Sequence, residues 1–226
     1  MRRHAPRNPG NAVTRRAIGR TIAASVPHDL AVPRILAAWE EAQGTSEHET
    51  GLAFYPAAHE LAGRIAHAYG RPPAYGAIAL AALSPRLPWQ WNREAGERIA
   101  AGNWDDRRPL PECTDKAWRI LVDGDPSAIG WGCKTRSFAL NIARPHSAGP
   151  VTLDTHSTSL LYGRPLDERA LKVLDRRAGY AWHAIPYRAA ARRLGVLPHT
   201  LQSVTWHHWR HVTGVDWRDS LREEEF

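Results

Sequence analysis

IGWGCKTRSFALNI (residues 129–142) and, eight residues later, VTLDTHSTSLLYG (residues 151–163) decide the reading of this chain. In the first stretch Gly130 and Gly132 flank Trp131. Glycine tolerates positive φ and lets another group approach the backbone closely. A helix is expected to begin near Lys134, and a helix N-terminus offers unbonded N–H groups and a favourable dipole to an anion. Just upstream, DGDPSA reads as an Asp-capped turn with Pro126 in its first position. The pattern predicts helix, hairpin, helix over about 125–143. The second stretch predicts an extended approach, VTL, into a helix capped by Asp154.

Outward from these two stretches the pattern is helical. HDLAVPRILAAWEEAQ places Leu30, Val32, Ile35, Leu36 and Trp39 roughly on one stripe. TSEHETGLAFYPAAHELAGRIAHAYG starts in a polar cap region, carries Leu61, Ile65 and Ala68 at helical spacing, and stops at Gly70. RPPAYGAIALAALSP is Pro-started and apolar on all sides, the mark of a central buried helix, and ends at Ser84-Pro85. WNREAGERIAAGN and CTDKAWRILVDGD are amphipathic and Gly-terminated. No stretch alternates apolar and polar residues for long, so the expected fold is all-α.

The chain has 226 residues, 43% hydrophobic content and ten tryptophans, enough for a substantial core. Net charge is +7, which favours a polyanionic partner, most simply nucleic acid. Two cysteines, Cys113 and Cys133, cannot build a disulfide framework, a four-thiolate zinc site or a cysteine-ligated iron–sulfur cluster, and they suit a reducing cytoplasm. No metal or other cofactor is expected. No apolar run approaches the ~18 residues of a membrane span. The basic start, residues 1–25, lacks the apolar core of a secretory signal and reads as a flexible arm. Residues 26–226 read as one domain.

Lys134 is conspicuous because only three of the 30 basic residues are lysine. Near a phosphate it serves as an anchor. As a nucleophile it needs partial deprotonation, which a desolvated pocket and a neighbouring cation such as Arg136 promote. Asp154, twenty residues on, is either a helix cap or an ionised carboxylate facing a developing oxocarbenium ion; the two roles coexist.

On these residues the chain resembles the helix–hairpin–helix DNA glycosylase superfamily of endonuclease III-like enzymes. That family has a Gly-x-Gly-x-Lys-Thr hairpin followed by a hydrophobic-x-Asp-Thr-His segment at similar spacing. ALSPRLPWQWNREA, KAWRIL and WHHWRH match further family stretches in order, so the resemblance spans residues 75–212. It implies Lys134 as nucleophile on the sugar C1′ and Asp154 as its support. It also implies a phosphate cradle of Gly130, Gly132 and Thr135, with Arg136 beside it, and Arg86 as the wedge that fills the stack when a base flips out. Double-stranded DNA would be the partner of a monomeric, cytoplasmic, nucleoid-associated enzyme of base excision repair. If Lys134 forms a Schiff base, abasic-site lyase activity follows. The family architecture further implies two helical subdomains flanking a basic cleft, one of about 71–150, the other of about 26–70 plus 151–226.

The chain departs from the family in lacking its carboxyl-terminal iron–sulfur cysteines and in a shorter interval from Ser84 to Lys134. The compact pattern also resembles small proteins of actinobacterial phages and their hosts. Some phage relatives of the superfamily are thought to modify thymine derivatives, which keeps a base-hypermodifying transferase as the alternative enzyme. A non-catalytic DNA-binding protein is the alternative from another class. Within residues 188–208, AAARRLGVLPHTLQ has the pattern of a helix-turn-helix or of an ordinary helical hairpin, with Gly195 in the turn and Pro198 opening the second helix. His207, His208 and His211 are placed on a basic or packed helix face rather than in a zinc site.

Overall fold

The computed structural model describes residues 27–85, 87–104, 111–130 and 132–214. Among these residues it is all-α, with ten α-helices and no strand. In chain order they are α1 His28–Ala42, α2 Ser46–Ala68, α3 Pro73–Leu83, α4 Trp89–Ala100, α5 Pro111–Trp118, α6 Cys133–Ala143, α7 Thr155–Tyr162, the single turn α8 Glu168–Leu171, α9 Arg177–Leu194 and α10 Pro198–Thr213. Helix α5 runs on into a wider π-type turn, Arg119–Asp123, closed by Gly124, and a short 3-10 turn, Pro126–Ile129, precedes α6.

Start and stop signals act where the sequence writes them. Thr45 caps α2 by accepting from His48 N, and Asp125 caps the 3-10 turn by accepting from Ser127 N. Pro73 and Pro198 open α3 and α10, where their missing N–H costs nothing. Gly195 takes a left-handed φ of 68° that a side-chain-bearing residue would adopt at a cost.

Helix α3 is central because its polarity leaves no face for water. Gly76, Ala77 and Ala79–Leu83 are all buried. The first hydrophobic cluster gathers α3 with Tyr55, Leu61 and Ile65 of α2, Ile99 of α4, Ala117 of α5, Ile120 and Leu121, and Phe138 and Ile142 of α6. A second joins Val32 and Ile35 of α1, Val151, Leu153, Leu161 of α7, Tyr180 and Tyr187 of α9, and Leu201 of α10. Helix α2, grouped by sequence with the second half of the chain, therefore supplies side chains to the first cluster.

That helix meets neighbours on two sides at backbone distance. A Cβ on Gly76 of α3 would fall 1.9 Å from Ala62 O of α2, and one on Gly51 of α2 would fall 2.4 Å from Val204 Cα of α10. Glycine is required at both positions by close approach rather than by dihedral angle.

Two expectations about faces need correction. Leu30 is 50% exposed and lies outside the buried stripe of α1, which runs through Ala31, Val32, Ile35, Ala38 and Ala42. Ala68 is exposed in the last turn of α2. No described helix is long and apolar enough to cross a membrane.

Candidate active-site cleft

The segment before α7 is fixed from three sides before any chemistry is considered. Tyr180 OH donates to Val151 O at 3.0 Å and accepts from Leu153 N at 2.8 Å, so one hydroxyl satisfies two buried backbone groups of a segment with no ladder of its own. Tyr55 OH and Asn141 Nδ2 both donate to Thr152 Oγ1 at 3.0 Å. Tyr187 OH donates to Ser157 O at 3.0 Å in the first turn of α7. Burial pushes the phenols of Tyr55 and Tyr187 up and that of Tyr180 to about 12, so all three are protonated donors at neutral pH.

Asp154 is placed by this frame. Its Oδ1 accepts from Ser157 N at 2.8 Å and from Ser157 Oγ at 2.7 Å, while Ser157 Oγ accepts from Asp154 N at 2.7 Å, a reciprocal capping box. Its Oδ2 accepts from Trp206 Nε1 of α10 at 2.7 Å. The carboxylate is therefore held by another helix as well as its own. Burial raises its pKa, but the Lys134 ammonium, the His156 ring and the Ser157 hydrogen bonds outweigh this and hold it below the ordinary carboxylate value. Asp154 is ionised at neutral pH.

Lys134 and Asp154 line the same cleft, about 700 Å³ in volume. Phe54 and Tyr55 come from α2, Trp89 and Asn92 from α4, Phe138 from α6, and Gln202, Trp206 and Arg210 from α10. Phe54 packs on Trp89 at 4.8 Å between ring centroids, and Phe138 lies 6.2 Å from Phe54, giving one end an aromatic wall. The Arg210 guanidinium sits 4.5 Å over the Trp206 ring, within cation–π range. His156 meets Trp206 edge-on at 6.0 Å. Burial lowers the His156 pKa, Asp154 opposes that, and Arg210 and Lys134 lower it further, so the ring is neutral at pH 7.

The expected basic cleft is more balanced than the net charge suggests. Its described lining holds two cations, Lys134 and Arg210, and two carboxylates, Asp154 and Glu168. The desolvated lysine is also corrected: Lys134 is exposed in the first turn of α6, so a bound substrate would have to supply the dehydration.

The other described candidate residues stand apart from the cleft lining. Gly130, with φ 66°, and Gly132 are exposed and have nothing within 4 Å of a hypothetical Cβ; Thr135 is half-buried and Arg136 exposed on α6. Arg86, Trp131 and the arm of residues 1–25 lie outside the described residues.

Helix α10 is not free to read a groove. His199, Leu201, Gln202, Ser203, Val204, Thr205 and His208 are buried, so the hairpin around Gly195 is core packing. Its histidines also diverge. His208 pairs with Glu41 at 3.0 Å and His211 with Glu47 at 3.2 Å. His207 lies against Trp206 and Phe54, where burial, aided by Arg210, takes its pKa down to about 4.

Sequence reasoning missed Trp206, Arg210, Gln202, Asn92 and His156 as cleft residues. A signal existed for Asn92. It interrupts the otherwise small or apolar buried stripe of α4, Asn92, Ala95, Gly96 and Ile99, and a buried amide on such a stripe needs a reason. Trp206 lies in the noted WHHWRH stretch, but nothing local says that its N–H reaches back to residue 154.

The class defined so far is an all-helical protein with an ionised aspartate and a lysine facing one aromatic-walled cleft. The chain belongs to the family of unknown function DUF7178, whose model matches residues 20–213. No curated protein and no solved structure matches it significantly.

Proposed function

We propose that this protein is a DNA glycosylase-like enzyme that draws a base out of duplex DNA into the cleft and cleaves its N-glycosidic bond. The observation that carries the reading is the shared cleft: Lys134 and Asp154, twenty residues apart and at the starts of different helices, line one cavity, and Asp154 is ionised there. The turn Pro126–Ile129, Gly130, Gly132 and the start of α6 serve as the hairpin that cradles a phosphate, with Thr135 and Arg136 beside it. Among the described residues no neighbour requires Gly132 to lack a side chain, and its φ of −63° does not either, which suits a backbone approached by an outside group. The reading places about 71–150 in one helical subdomain and about 26–70 plus 151–226 in the other, with the cleft between them.

In the reaction the Lys134 ammonium first gives up a proton, which the departing base takes up; the freed Nζ lone pair forms a bond to C1′ as the C1′–N bond breaks, and that bond's electron pair leaves with the base. Asp154 faces the cationic sugar. Ring opening and loss of the Nζ proton leave a Schiff base, whose β-elimination nicks the strand. The exposure of Lys134 favours a second reading in which it only anchors phosphate and water attacks C1′ opposite Asp154.

Borohydride trapping on a panel of duplexes bearing damaged or modified bases, run beside an assay for released base, separates these readings. A trapped adduct that vanishes in Lys134→Gln supports the amine nucleophile, and base release without an adduct supports water. A gain of mass on the base, when amines or amino acids are supplied, assigns the protein to base modification instead. Binding of DNA with neither release nor modification leaves a non-catalytic binding protein and ends the enzyme reading.

A further inference from the structure

Asn92 is 1% exposed, yet it lines the cleft. Its amide is only half used. Nδ2 donates to Leu80 O of α3 at 3.2 Å, which fixes which arm of the carboxamide is which, and Oδ1 has no hydrogen-bond partner. A carbonyl oxygen buried without a partner is costly, and a site that keeps one is short of a donor. The aromatic wall of Phe54, Trp89 and Phe138 lines the same cavity, whose volume of about 700 Å³ admits a nucleotide-sized group.

We infer that Asn92 reads the hydrogen-bonding edge of a flipped nucleobase: its Oδ1 accepts an N–H, so the cleft takes bases whose edge N–H is intact and rejects those alkylated there. This rests on the glycosylase-like reading for the identity of the ligand but not for its chemistry, since binding alone satisfies it. A ring stacked on the wall gains affinity from its face whatever the base. The face cannot tell one base from its N-methylated form; the edge can. A site whose buried polar group is left unpaired discriminates strongly against the ligand that lacks the matching donor.

The test measures equilibrium binding by fluorescence anisotropy, in the full-length chain carrying both Lys134→Gln and Asp154→Asn, so that neither amine attack nor water attack intervenes. The probes are short duplexes with one unpaired nucleoside: thymidine or N3-methylthymidine, deoxycytidine or its N4,N4-dimethyl form, deoxyadenosine or its N6,N6-dimethyl form. With Asn92 present, at least one pair should show methylation weakening binding roughly 10-fold, and the difference should disappear in Asn92→Leu. Asn92→Ser, which leaves room for a water, gives an independent check should the leucine variant fail to fold, and it should likewise lose the discrimination. Equal affinity for methylated and unmethylated members of every pair overturns the inference. Discrimination that persists undiminished in folded Asn92 variants overturns it as well. The outcome is independent of catalysis: a wild-type protein that releases no base but still discriminates through Asn92 refutes the glycosylase reading alone.

Discussion

Replacing Tyr180 with phenylalanine should be among the most damaging ways to remove a single atom from this protein. The hydroxyl serves two backbone groups, donating to Val151 O and accepting from Leu153 N, and both residues are wholly buried. Removing it leaves a donor and an acceptor unpaired, and each orphaned buried group costs about 1–3 kcal/mol, so Tyr180→Phe should destabilise by about 2–6 kcal/mol. Tyr187→Phe supplies the internal control, because that hydroxyl serves one backbone acceptor, Ser157 O; its cost should be about half. Urea unfolding at pH 7, followed by tryptophan fluorescence and analysed at constant m-value, reads both. A Tyr180→Phe variant no less stable than Tyr187→Phe would refute the claim that Tyr180 holds the segment before Asp154. The same variant should also lose cleft function beyond its stability loss, since Asp154 is one residue past the pinned Leu153.

Further outcomes follow from the same contacts. Burial depresses His207 to about 4 from an ordinary 6.5, so its contribution is present above pH 6.5 and lost as pH falls toward 4; His207→Phe should be near neutral at pH 7 and recover up to about 3 kcal/mol at acid pH, measured by unfolding across that range. Tyr180 acts in the opposite direction. Its raised pKa of about 12 gives stability that is complete below pH 10 and lost as pH rises toward 12, so wild type should unfold in alkali over that window. Trp206→Phe removes the hydrogen bond to Asp154 Oδ2, so the depressed carboxyl should move up and the acid-unfolding midpoint should rise with it; an unchanged midpoint would remove Trp206 from its assigned position. Gly76→Ala should cost several kcal/mol or prevent folding, because its Cβ lands 1.9 Å from Ala62 O, whereas Gly63→Ala in α2, with nothing within 4 Å, should stabilise by about 0.5–1 kcal/mol. Thermal melts of the two side by side test whether the close approach, rather than glycine as such, matters.

The helices were legible because their punctuation is local. Thr45, Asp125 and Asp154 cap, Pro73 and Pro198 open, and Gly70, Gly124 and Gly195 close, each acting within a few residues of its own position. That Lys134 and Asp154 line one cleft was expected only through the family resemblance, since local pattern left the first as a phosphate anchor and the second as a helix cap. What stayed hidden depends on partners far along the chain. Trp206 binds a residue 52 positions away and Asn92 faces a cavity assembled from α2, α4, α6 and α10, and no periodicity encodes either. The exposure of Lys134 was hidden for a related reason. A lysine in the first turn of a helix is equally compatible with a dry pocket and a wet rim until the opposite wall is known.

The two glycine crossings of α2 have a consequence for recognition. Phe54 and Tyr55 form part of the cleft from a helix that touches α3 on one side and α10 on the other through backbone rather than through long side chains. Flexible side chains can slide and repack; a carbonyl against a glycine Cα has no such freedom. The distance between the wall carried by α10 and the mass packed on α3 is thus set at folding, and a hinge there would have to break both contacts. A ligand accordingly meets a receptor of fixed width, with little ordering left to be done on arrival. Differences in preference among related chains should then arise through exchanges of lining side chains, while the spacing between the walls stays the same.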